Sequence, residues 1–347
     1  WHVDLLWALE TLAWSPKYLG RVADVLAQLV SSPIPQNLSN LPINSLVSLF
    51  RPWWPQTTAA PEQRLAALDR LIQTRNDVAW SLLEALIPKH SGFASANAKP
   101  HWRDDDAGAI GPNDPEGFGL YLSEIGARIV AQAQGVPARI AELVESLDSF
   151  EGQYREQIAQ LVETSSSFPD DDRELIRAAL RKYLSWHYSY NRRGNSARAM
   201  ADRLRPQFDA LAPTNLATRH AWLFRNGWVE MPDGRDGDYK KADEIRERLR
   251  AEALREIFSA TGWTGIEDLI RLAGAPGLVG WQIAHADFPE ADIVAWSLKR
   301  FADAGGVFHD SVLSGLVHTL PDDRRAALLA QACAKLDAAG IAALASA

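Results

Sequence analysis

The sequence predicts an all-α fold, an irregular α-solenoid of stacked helical hairpins. Three observations carry that expectation. Residues 61–88 read as two short helices back to back, apolar residues recur at helical spacing along most of the chain, and prolines and glycines punctuate those runs at their ends. No stretch alternates apolar and polar residues strongly enough to compete as a strand.

The hairpin comes first because the rest is read against it. In PEQRLAALDRLIQT, Leu65, Leu68 and Ile72 share one face and Leu71 widens it. Pro61 suits a first helical position, where Glu62 favours the helix dipole. Thr74 to Asp77 interrupts the pattern, with Asn76 or Asp77 expected to cap the next helix. Val78, Leu82, Leu83, Leu86 and Ile87 then line a second helix that Pro88 stops. So short a turn makes the pair antiparallel, and a lone hairpin needs neighbours to bury both stripes.

Upstream, Val3 to Trp14 and Pro16 to Val30 form a first pair, joined at Ser15 as N-cap. Five prolines interrupt 31–60, leaving room for one short helix from Ser45 to Phe50 capped by Asn44. Periodicity then fades from Lys89 to Pro115, a length typical of a binding loop or linker. Helices resume at about 116–134, 137–147, 149–163, 170–188, 196–211, 216–226, 238–260, 263–273, 276–286, 288–303, 308–318, 321–334 and 335–346. The expected organisation is N-terminal hairpins over 1–88, an irregular loop over 89–115, and a C-terminal helical stack over 116–347. Short echoes of Val/Leu-Ala-Trp-Ser at 12, 78 and 294 set no fixed repeat period.

Composition narrows the function. At 347 residues the chain exceeds one ordinary core, and 47% hydrophobic with 23% charged residues is typical of a folded soluble protein. A net charge of −8 speaks against a protein that coats nucleic acid with its whole surface. The single cysteine, Cys333, forms no internal disulfide, and a cytoplasmic setting is expected. No apolar run approaches the roughly 20 residues of a membrane-spanning helix, and no signal segment opens the chain. The start on Trp1, already in a helical pattern, reads as a piece of a longer polypeptide. The 13 tryptophans read first as wedges between helices and second as an aromatic surface for a partner.

Motifs for chemistry are sparse. There is no phosphate-binding loop, and Gly117-Phe118-Gly119 lacks the third glycine of a dinucleotide fingerprint. No HExxH occurs, and Asp233 to Glu244 lacks the side-chain oxygens of a calcium loop at its third and fifth positions. It reads as a polar turn before a helix. His101-Trp102-Arg103-Asp104-Asp105-Asp106 offers a histidine and three carboxylates for a cation or acid–base work, but consecutive aspartates cannot all face one ion, so a solvated acidic loop is the simpler account. The histidines at 285, 309 and 318 do not cluster. Lys240 to Glu256 mixes signs over an apolar face of Ala242, Ile245, Leu249, Ala253 and Ile257, as a solvated outer helix would. No catalytic residue, metal ligand or cofactor is expected.

The sharpest feature is the stretch from Arg173 to Arg205, with nine basic residues against two acids. Arg173, Arg177 and Arg181 recur every fourth residue and would form a ridge, joined by Arg192 and Arg193. Tyr188 and Tyr190 supply rings beside them. Charge for phosphates and rings for stacking are what an anionic, base-bearing ligand requires. The competing account pairs each arginine with an acid from a neighbouring helix.

Pro42-Ile43-Asn44-Ser45-Leu46, the run Phe50-Arg51-Pro52-Trp53-Trp54-Pro55-Gln56-Thr57, the hairpin itself and Lys99-Pro100-His101-Trp102-Arg103 resemble a helical region of large bacterial multidomain NTPases of the STAND type, some of which defend against phage. The resemblance is most specific over residues 1–105. It implies a sensor or scaffold role in the cytoplasm and carries no catalytic residue to this chain. The resulting expectation is a non-catalytic region that mediates protein–protein recognition or oligomerisation, with a protein partner or other domains of the same polypeptide. The alternative is a nucleic-acid or nucleotide module centred on 173–205. A hydrolase using the acids of 101–106 is the third reading.

Overall fold

The structure is a computed structural model. It describes residues 2–33, 40–87, 94, 96–97, 99–100, 115–150, 152–190, 196–234, 239–303, 310–336, 338 and 341. Among these the regular elements are all helical, so the fold class is all-α. The chain divides into two compact units, residues 1–139 with 146–160, and residues 140–145 with 161–347.

The first unit opens with α1 (His2–Ala13), α2 (Pro16–Val30) and α3 (Pro42–Phe50). Leu6, Leu9 and Ala13 of α1 meet Leu19, Val22 and Leu26 of α2 in its core. Prolines at the first turn start α2 and α3, and neither helix has a side-chain cap. The N-cap of α3 is Leu41 rather than Asn44, because Pro42 already fixes the helical φ two residues earlier. The hairpin stands as expected: α4 (Pro61–Thr74) and α5 (Asn76–Leu86) bury Leu68, Leu71, Leu82 and Leu83 completely, and Trp80 is buried too. Asn76 and Asp77 lie inside α5, whose N-cap is Arg75, so neither caps it. Asn76 instead donates to Gln132, and Arg139 donates to Asn76.

That contact belongs to a difference from the expected organisation. The helix α6 (Pro115–Ala133) joins the first unit rather than starting a separate stack. Arg128 grips Asp69 of α4 through two hydrogen bonds of 2.6 and 2.8 Å, and the Tyr121 hydroxyl donates to the Phe50 carbonyl at 3.1 Å. These pairings link residues 59 and 71 positions apart, beyond the reach of a periodicity argument. The helix α7 (Pro137–Glu145) divides between the units after Arg139. A 3-10 turn at Leu147–Ser149 and most of α8 (Gly152–Glu163) complete the first unit. The segment 89–115 lies almost wholly outside the described residues, as do His101 and Asp104 to Asp106.

The second unit contains α9 (Asp170–Tyr190), α10 (Ser196–Ala210), α11 (Leu216–His220) with a 3-10 turn at Ala221–Phe224, α12 (Tyr239–Leu272), α13 (Pro276–His285), α14 (Glu290–Asp303), α15 (Ser311–Thr319) and α16 (Asp322–Lys335). The break expected near residue 262 is a kink inside α12, where Gly262 takes φ 62°. Side chains of Asn215 and Asp310 cap α11 and α15. One core runs from Trp222 and Phe224 through Leu254, Ile257 and Ile266 to Val279, Ile283, Leu313 and Leu316.

Candidate functional site

The basic stretch begins on α9, which turns Arg177 and Arg181 inward. Arg177 is 6% exposed and Arg181 is 3% exposed. Arg177 donates to the Phe208 carbonyl at 3.0 Å, the Arg219 carbonyl at 2.9 Å and Glu174 at 3.0 Å, with its guanidinium 4.2 Å from the Phe208 ring centre. Arg181 lies over Trp222 at 4.7 Å and reaches Glu174 at 3.5 Å. Burial lowers the pKa of both arginines and raises that of Glu174, while the attraction between Glu174 and each arginine opposes those shifts.

The four-residue spacing correctly placed the arginines on one face. It could not say that the face turns toward α10 and the 3-10 turn after α11, because Ile176, Leu180 and Leu184 bury the adjoining stripe as well. Arg173 pairs with Asp170, whose carboxylate is held below its ordinary pKa by the Asn215 N–H first and also by the Thr214 hydroxyl. The remaining described basic residues are also paired: Lys182 with Glu145, Arg198 with Asp202, Arg203 with Glu163, and Arg205 with Asp209 and Asp233. Tyr188 donates to Asp202 at 3.0 Å under the Arg198 guanidinium, so its ring is not free to stack on a base. Tyr190 is exposed beside Trp186, ring centres 4.7 Å apart. Arg192 and Arg193 lie outside the described residues. An exposed ridge of Arg173, Arg177 and Arg181 therefore does not exist in the structure.

A second arginine pair escaped the sequence reading. Arg246 and Arg250 of α12 are 7% and 2% exposed, where a solvated outer helix was expected. Arg250 donates to the Leu223 and Asn226 carbonyls, both at 2.9 Å, and pairs with Glu247 at 2.8 Å. Arg246 lies over the Trp228 ring at 4.8 Å. The segment Trp222-Leu223-Phe224-Arg225-Asn226-Gly227-Trp228 thus meets Arg181 from α9 and the Arg246–Arg250 pair from α12. The signal was present: each pair is an Arg at i and i+4 with an acid three residues before its first member. In the first unit, Arg64 plays a similar part, buried over Tyr121 at 4.0 Å with the Arg51 carbonyl 3.3 Å away.

The described residues line cavities in both units. One, of about 710 Å³, is walled by Trp263 and Trp296, stacked at 4.6 Å, with the Arg300 guanidinium held between Glu267 and Asp310 at 2.6 Å each. An apolar one of about 390 Å³ lies between α6 and α8, where Ser123 and Tyr154 share a 2.8 Å hydrogen bond. Another, of about 370 Å³, is lined by Glu174, Arg181, Trp222 and Arg225. No group of three or more His, Cys, Asp or Glu among the described residues is placed to hold a metal ion, and no helix there is long and apolar enough to cross a membrane. No family model matches the chain, and none of the curated proteins matches it.

Proposed function

We propose that this chain is a non-catalytic helical scaffold or sensor region of a larger bacterial multidomain protein that acts in defence against phage, and that it works by protein–protein recognition. A solenoid-like stacking of its hairpins and a cytoplasmic setting form part of this reading. The resemblance of residues 1–105 to STAND-type helical regions supports it, and the lone exposed thiol of Cys333 suits a reducing compartment.

The observation that carries the proposal is α1, which is apolar on two sides. Leu6, Leu9 and Ala13 are buried, yet Leu5, Ala8 and Leu12 form an exposed second stripe at helical spacing, flanked by Trp7 at 54% exposure. A helix apolar most of the way round is a helix meant to be covered. The i, i+3, i+7 spacing of that stripe fits the ridge of a partner's amphipathic helix. A benzophenone amino acid placed at Ala8 in the intact natural protein, in its own cells, tests this. A defined adduct on the apolar face of a protein helix, reduced by Leu5→Ser with Leu12→Ser, is expected. Labelling no stronger than from a control position at Glu252 on the exposed side of α12 overturns the reading.

A further inference from the structure

The helix α6 has two working faces. Tyr121 and Arg128 lock one of them onto Phe50 and Asp69. The other carries Gly119, Leu122, Ser123 and Gly126 at i, i+3, i+4 and i+7, and lines the apolar cavity of about 390 Å³. The two glycines of that face do opposite things. A Cβ at Gly126 would fall 2.8 Å from the Tyr154 ring, so that ring lies directly on the α6 backbone. A Cβ at Gly119, two turns earlier and exposed, would meet nothing within 4 Å. Glycine within a helix costs stability, and at Gly119 no packing neighbour requires it. Its bare backbone leaves one side of the cavity open to solvent.

The lining sets the chemistry of a guest. Ile87, Ile125, Ile129 and Phe150 are buried lining residues, and Phe118 and Leu122 are half-buried. Among the described lining residues none is Asp, Glu, Lys, Arg or His, so nothing there offsets the cost of taking an ion out of water. A neutral guest fits; a charged one does not. The volume is more than twice the ~150 Å³ that accommodates benzene, which suits two fused rings or similar aliphatic bulk. One polar group completes the site. The Ser123 and Tyr154 hydroxyls carry one hydrogen each, and their mutual bond at 2.8 Å uses only one of the two. The other hydrogen is left for an oxygen of the guest.

We propose that this cavity binds a small neutral molecule, an apolar body of one or two rings with a single oxygen that bonds to the Ser123–Tyr154 pair. The inference is independent of the recognition role above, since α1, where crosslinking reads that role, contributes no lining residue. The test uses the full chain, with 2-naphthol as the neutral probe and 2-naphthoate as its charged counterpart at neutral pH. Calorimetry gives the affinities. Labelling with 3-fluorotyrosine locates the site, the Tyr154 resonance being assigned through Tyr154→Phe. Saturable binding of 2-naphthol below about 1 mM with a shift of the Tyr154 resonance is expected, and 2-naphthoate should be weaker by about tenfold or more. Gly119→Phe puts a side chain into the open position and should weaken 2-naphthol by about tenfold or more. Its melting temperature should hold or rise, because phenylalanine is the better helix former. Ser123→Ala with Tyr154→Phe removes both hydroxyls together, which costs the fold little, and should weaken 2-naphthol by about fivefold. Equal affinity for the two probes, binding that leaves the Tyr154 signal unmoved, full affinity in Gly119→Phe, or no binding at millimolar 2-naphthol overturns the proposal.

Discussion

Buried arginine is the recurring device at the scale of single residues. Arg177 and Arg250 each satisfy two main-chain carbonyls near helix ends and one carboxylate, while resting near an aromatic ring. A buried guanidinium is tolerated only when its donors are this fully engaged, and deleting it strands every acceptor at once. Arg177→Ala should therefore lower stability by about 3–5 kcal/mol in denaturant unfolding. A loss under about 0.5 kcal/mol would place Arg177 in solvent, as the exposed-ridge account requires. Tyr121 gives a pH signature in the first unit. Burial raises its hydroxyl to about 12 against an ordinary 10, so the folded state favours the protonated phenol. Its contribution is whole below pH 10 and is lost as pH rises toward 12. Between pH 9 and 11 the wild type should lose roughly 1 kcal/mol more than Tyr121→Phe, measured by urea midpoints. Parallel loss in both proteins would mean that Tyr121 titrates in water.

At the scale of elements, helix existence was legible and helix ends were not. Periodic leucines and valines placed α1, α2, α4, α5 and α9 within a few residues, because the pattern that marks a helix is the same pattern that buries it. Caps failed at Asn44 and Asn76 because proline, or a turn tightened by Arg75, set the helix start before a polar side chain was needed. Close helix contacts were invisible for a different reason: what they require is the lack of a side chain. The helices α13 and α15 approach so closely that a Cβ on Gly280 would run into the Val312 carbonyl, and one on Gly315 into the Gly277 carbonyl. Neither glycine needs an unusual φ; each is there for the approach of backbone to backbone. Gly280→Ala should destabilise by about 1–3 kcal/mol, since main chain rather than a flexible side chain has to yield. The reverse, a gain from better helix propensity of up to about 1 kcal/mol, would show that α13 and α15 are free to move apart.

Across the whole molecule, the sequence announced charge without showing where it is spent. The chain carries −8 overall while residues 173–205 carry nine basic groups against two acids, a local excess that looks like an anion site on paper. Folding brings Glu145, Glu163, Asp170, Asp209 and Asp233 to those bases from outside the stretch, so seven of the nine have a carboxylate partner. The other two, Arg192 and Arg193, lie outside the described residues and leave room for at most a small local field. Nucleic-acid affinity depends on cations free to displace counterions, and cations already held by carboxylates displace none. A labelled single strand titrated at about 50 mM and 200 mM salt should accordingly show no specific, salt-dependent binding, with affinity no tighter than the weak nonspecific range of about 10⁻⁴ M. Exposed aromatics do not rescue the reading, since Trp186 and Tyr190 pack against each other at a 44° tilt and would hold at most a base or two without phosphate anchors. Micromolar binding at the lower salt that falls steeply at the higher, and that Arg192→Glu with Arg193→Glu removes, would reverse this conclusion and make Arg192 and Arg193 the anion site.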